Sequence, residues 1–92
     1  MSKEHTGQVH LRRIDCARNM ARFYSLAIQP TLFGEASVVR DWGRIGTNGR
    51  SMIETFDRPE MAEGALARLA RAKRRRGYAD ASANARGGSR DG

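Results

Sequence analysis

Residues 36–56 read ASVVRDWGRIGTNGRSMIETF. In the first half Val38, Arg40, Trp42 and Arg44 share one parity, and Val39, Asp41 and Ile45 share the other. That is the two-residue period of a β-strand. In the second half Met52, Glu54 and Phe56 alternate with Ile53 and Thr55. Between the halves lies Gly46-Thr47-Asn48-Gly49. An Asn-Gly pair between alternating segments is a strong hairpin signal, because a type I′ turn needs positive φ at two successive residues. The stretch predicts a strand over 36–45, an Asn-Gly turn, and an antiparallel return over 51–56. A Gly-x-x-Gly loop of the KH kind joins helices, which these flanks do not resemble. The spacing of Gly43, Gly46 and Gly49 is neither a dinucleotide fingerprint nor a phosphate-binding P-loop.

Outward from this hairpin, Tyr24, Leu26 and Ile28 alternate with Phe23, Ser25 and Ala27, which predicts a strand over 22–29 closed by Pro30. Val9 and Leu11 give a weaker strand signal over 8–14, and 15–21 reads as a loop. Downstream the period changes at Asp57-Arg58-Pro59-Glu60. Pro suits a first helical turn, and Glu60 and Glu63 suit its positive end. Met61, Ala62, Ala65, Leu66, Leu69 and Ala72 fall at helical spacing, and Gly77 follows the last turn, as a helix C-terminus does. The fold class expected is α+β: one antiparallel sheet of about four to five strands, with one helix over about 59–76 packed on one face. Residues 8–79 form the domain, with a disordered N-terminus over 1–7 and a disordered tail over 80–92. The sheet's other face is expected to stay in water and to carry Arg40, Trp42 and Arg44.

The chain has 92 residues, with 17 Lys and Arg against 10 Asp and Glu, a net charge of +7. Only Lys3 and Lys73 are lysines. At this length a chain buries about 60% of its unfolded surface, so one small core is expected. No apolar run approaches the roughly 18 residues of a membrane helix, and no apolar segment follows Met1. The expectation is a cytoplasmic, monomeric protein without a membrane partner. Cys16 is a lone cysteine and the histidines are His5 and His10, too few ligands for a structural metal. No nucleophile, base and orienting group come together in sequence, so no catalytic residue, no cofactor and no enzyme activity are expected.

Two features could carry chemistry. The first is the face bearing Arg40, Trp42 and Arg44. Arginine holds phosphate through a planar fork of donors, and tryptophan offers a flat surface to a sugar or base. A single Trp in a small domain is as readily a core residue. The second is Lys73-Arg74-Arg75-Arg76, which could neutralise several phosphates or simply complement the helix dipole.

The residues Trp42-Gly43-Arg44-Ile45-Gly46, followed by Thr47-Asn48-Gly49, resemble the signature of the WGR domain. Asn19 to Tyr24 is similar to the family's Asn-x-x-x-Phe-Tyr stretch, Pro30 to Gly34 to a link in small bacterial members, and Lys73 to Tyr78 to a basic helix end with Gly-Tyr. The resemblance implies an antiparallel sheet with one helix, and a place among short stand-alone bacterial members. It further implies kinship with the non-catalytic module of poly(ADP-ribose) polymerases that contacts DNA near a break. There the signature Trp packs on a nucleotide sugar and the Arg serves the DNA and domain interface; those roles would fall on Trp42 and Arg44. Departures are Ala36, where many members carry Trp, so weaker stacking is expected; Arg50, where Gln is common; and Cys16, where Pro is common. The expected function is nucleic-acid binding, DNA first, at ends or nicks. The residues expected to carry it are Arg40, Trp42, Gly43, Arg44, Arg50, Lys73, Arg74, Arg75 and Arg76. An acidic protein partner and RNA are the alternatives.

Overall fold

The computed structural model describes residues 7–81. The expected terminal segments fall almost wholly outside the described residues. The order is β1 (Gln8–Asp15), a single 3-10 turn (Cys16–Arg18), β2 (Met20–Pro30), β3 (Ala36–Arg44), β4 (Arg50–Phe56), α1 (Pro59–Arg75) and β5 (Ala79–Asp80). The strands form one antiparallel sheet in the order β4-β3-β2-β1-β5. The fold class is therefore α+β, with one helix on one face.

Three local readings change. The 15–21 loop shrinks to one turn, because Asn19 adopts φ 55° and lets the chain reverse at once; Met20 and Ala21 already pair with β1. Ala79–Asp80, expected at the boundary between domain and tail, forms a short strand against Leu11 and Arg12. The β3–β4 hairpin exists, but not through a two-residue Asn-Gly turn. Its last paired residues are Trp42 and Arg50, and Asn48 does not take positive φ. Thr47 instead donates from both its N–H and its hydroxyl to the Arg44 carbonyl, at 3.0 and 2.8 Å, and Ile45 N–H bonds back to Ala21 at 2.9 Å. Gly49 has φ +70°, and a Cβ there would collide with the Trp42 carbonyl and lie 2.9 Å from the Phe23 ring. The glycine lets this loop close on the strand that carries Trp42.

Helix α1 begins with Pro59 in its first turn and Glu60 beside it. It ends in a Schellman motif: Tyr78 N–H reaches the Lys73 carbonyl at 3.1 Å and Gly77 N–H the Arg74 carbonyl at 3.1 Å, which satisfies two terminal carbonyls. Ala62, Ala65, Leu66 and Ala70 are its buried stripe, whereas Met61 is exposed. Small alanines let the helix lie close over β2 and β3. The core beneath it comprises Leu11, Tyr24, Leu26, Ala36 and Val38.

The helix therefore covers the face that carries Ala36, Val38, Arg40, Trp42 and Arg44, the opposite of the assignment made from sequence. Alternation places these residues together, but the partner strand decides which side they take. Tyr24, Leu26 and Ile28 lie directly opposite Trp42, Arg40 and Val38, and this apolar row draws the helix to their side. Ala36 is 1% exposed and pairs with Phe56, about 20 Å along the strand from Trp42. It is a core residue, so it subtracts nothing from the surface around Trp42.

Candidate nucleic-acid interface

β3 runs out from under the helix, and this makes the site. Its start, Ala36 and Val38, is buried. Trp42 is half-buried and packs against the core's edge. Arg44 at its end is exposed. Trp42 is thus both a packing residue and a partly open aromatic surface.

Two cross-strand rows meet here. Leu11, Tyr24, Trp42 and Arg50 lie directly opposite one another across β1 to β4. Next to them, Arg13, Arg22 and Arg44 form a row across β1, β2 and β3. Directly opposite residues point to the same face, so three guanidinium groups share one strip of sheet. Like charges placed opposite one another destabilise a sheet. Among the described residues no carboxylate lies within 4.0 Å of Arg13, Arg22, Arg40 or Arg44.

The helix end closes over these rows. A hollow of about 310 Å³ is lined by Tyr24, Arg40, Trp42, Leu69, Lys73 and Arg76 among others. A second, of about 300 Å³, continues it past Arg22, Trp42, Gly43, Arg44 and Tyr78. Among the described residues no acidic side chain lines either. The Lys73 ammonium stands 4.6 Å from the Tyr24 ring centroid and 5.4 Å from that of Tyr78. The two rings meet edge to face at 6.3 Å. Burial first, and then the charges of Arg76, Arg22 and Arg40, push the Lys73 pKa below its usual value. Among the described residues no carboxylate pairs with Lys73, and a cation held among cations in this way favours a negative charge beside it.

The two basic centres expected from the sequence are thus one. Arg40, Trp42, Gly43, Arg44, Lys73 and Arg76 line the same pair of hollows. Arg50 is exposed and stands opposite Trp42 on that face. Arg74 turns away: its guanidinium makes a two-pronged bond to Asp80, at 2.8 and 3.1 Å, and that bond raises its pKa. Arg75 lines neither hollow. Arg13 and Arg22 escaped sequence reading. The signal was present in the alternation of β1 and β2, but their adjacency depends on the reversal at Asn19.

A further hollow, of about 400 Å³, lies on the other face beside His10, Arg12, Phe23 and Ser25. Among the described residues Arg12 is its one arginine, which gives it far less positive charge than the groove.

Comparison with known proteins bears on the signature. The profile of the WGR domain matches residues 7–85. The chain is 45% identical over 71 residues to an uncharacterized protein, y4dW, of Sinorhizobium fredii (strain NBRC 101917 / NGR234), taking in 77% of this chain and 35% of that protein. The chain thus spans about a third of the length of the curated relative it matches. No solved structure matches it.

Proposed function

The chain belongs to the WGR domain family, and on that premise we propose that it is a non-enzymatic module that binds nucleic acid, DNA foremost, at ends or nicks. The observation that carries this reading is the convergence of Arg22, Arg40, Arg44, Lys73 and Arg76 around the Trp42 and Tyr24 rings, in a groove that no acidic side chain lines among the described residues. Phosphates would offset the mutual repulsion of these cations. The half-open Trp42 ring would pack on a sugar or base. An aromatic face can do so where a nucleotide is not stacked between two neighbours, which is the situation at an end, a nick or a single strand. Among the described residues no Asn, Gln, Asp or Glu lines the groove, and its arginines and lysine, which could also meet guanine edges, would be engaged by phosphates. Recognition would therefore be of shape and charge, not of sequence.

The test is a comparison of nicked duplex, continuous duplex and heparin at one ionic strength, with the native chain and with Trp42→Ala and Arg44→Ala. The reading expects preference for the nicked duplex, and expects Trp42→Ala to weaken it by about 1–3 kcal/mol. Equal affinity for all three polyanions, unchanged by Trp42→Ala, would reduce the groove to generic charge and overturn the reading.

A further inference from the structure

β4 stands at the edge of the sheet. Among the described residues nothing pairs with its outer side, and Arg50 to Thr55 are all exposed. The other edge is different, since β5 covers β1 at Leu11 and Arg12. Natural edges are usually blunted by proline, lysine, a bulge or brevity. β4 is seven residues long and contains neither proline nor lysine. It carries one Arg and one Glu, so it is locally neutral in a chain of charge +7. Met52 and Ile53 are 47% and 63% exposed, one on each face of the strand.

We infer that β4 pairs antiparallel with the β4 of a second copy of this chain, in the register that places Met52 opposite Met52. That register follows from charge. It sets Arg50 of each copy directly opposite Glu54 of the other, so the two-fold axis creates two reciprocal ion pairs on the helix face. It also sets Ser51 opposite Ile53 on the far face. Within its own chain Glu54 shares a small cavity with Arg40 and Arg68, but among the described residues neither lies within 4.0 Å of it. Arg40 instead donates to the sulfur of Met52, which stands opposite it on that face. A two-fold axis perpendicular to the sheet puts both helices on one side. Because α1 lies mainly over β2 and β3 and reaches β4 only in part, the helix axes would be about 16–19 Å apart at ordinary strand spacing, so they leave room for each other. The product is one continuous sheet of twice five strands, with both Trp42 grooves open on the same face. The inference does not depend on what the grooves bind.

The experiment is sedimentation equilibrium of the full chain without nucleic acid, over micromolar to millimolar concentration, with circular dichroism to confirm folding of each variant. The native chain should move from one chain mass toward two and stop there. Arg50→Glu alone and Glu54→Arg alone should each weaken association about tenfold, since like charges then face each other twice. The double variant R50E/E54R should restore it. A constant single-chain mass at all concentrations overturns the inference and leaves the edge for a strand of another protein. Association that ignores the single variants, or that is not rescued by the double variant, overturns the register and with it the proposal.

Discussion

The ammonium of Lys73 sits 4.6 Å above the Tyr24 ring while three arginines, Arg76, Arg22 and Arg40, press on it electrostatically. The free protein thus carries a repulsive cluster that only the aromatic rings partly offset. Added salt screens such repulsion. Thermal stability should rise with ionic strength between about 0.05 and 0.3 M, and rise less in Lys73→Met, where the central charge is gone. Nucleic-acid affinity should move the opposite way. Melting curves and titrations over one salt series test both.

The depressed Lys73 pKa also makes a statement about pH. The unfolded chain keeps this proton up to the ordinary value of 10.5, whereas the folded chain releases it earlier. Between the two values the unfolded state holds more protons, so this residue's contribution to stability rises with pH. A bound polyanion supplies negative charge and draws the pKa back up. Binding should therefore take up a proton as the pH passes the depressed value, and affinity should fall above it. Calorimetric titration in buffers of differing ionisation enthalpy reads that uptake, and Lys73→Arg should abolish it.

Arginines in the groove and arginines outside it should behave differently. Arg22→Ala or Arg76→Ala should weaken binding and each reduce the log–log salt slope by about 0.9. Arg74→Ala should do much less, because that guanidinium already serves Asp80. Its loss, like that of Asp80, should cost under about 1 kcal/mol of stability, as for other exposed ion pairs.

The loop glycines separate structure from binding. Gly49→Ala forces a side chain into the Trp42 carbonyl and the Phe23 ring and should cost about 3 kcal/mol. Gly46→Ala meets open space and should cost only about 1 kcal/mol, the backbone strain alone. Chemical denaturation of the two variants distinguishes them.

Much of this architecture is legible in the sequence, and the reasons for the remainder are specific. Alternation in residues 36–56 places the strands, and Pro59 and Gly77 bracket the helix, which stops at Arg75 against an expected 76. What alternation leaves open is which parity faces the helix. Val38 and Val39 are adjacent and equally apolar, so β3 alone cannot say; its register against Tyr24 and Leu26 decides. The Asn-Gly pair also points to the wrong turn type, because Gly49 is needed for close approach to Trp42, not for a two-residue reversal. In sequence the site is two separate basic centres, because Lys73 and Trp42 are far apart in the chain. The helix end brings them to one groove.

The central claim is that Trp42, the Arg13–Arg22–Arg44 row and the helix end act as a single nucleic-acid surface. The most direct measurement is an NMR titration of the full chain with a nicked DNA duplex, following the Trp42 indole N–H and the backbone amides of Arg13, Arg22, Arg44, Lys73 and Arg76. The account predicts that these signals shift together and saturate at one ratio, before those of Arg74 and Arg75. Shifts confined to residues 73–76, with the Trp42 indole unmoved, would contradict it.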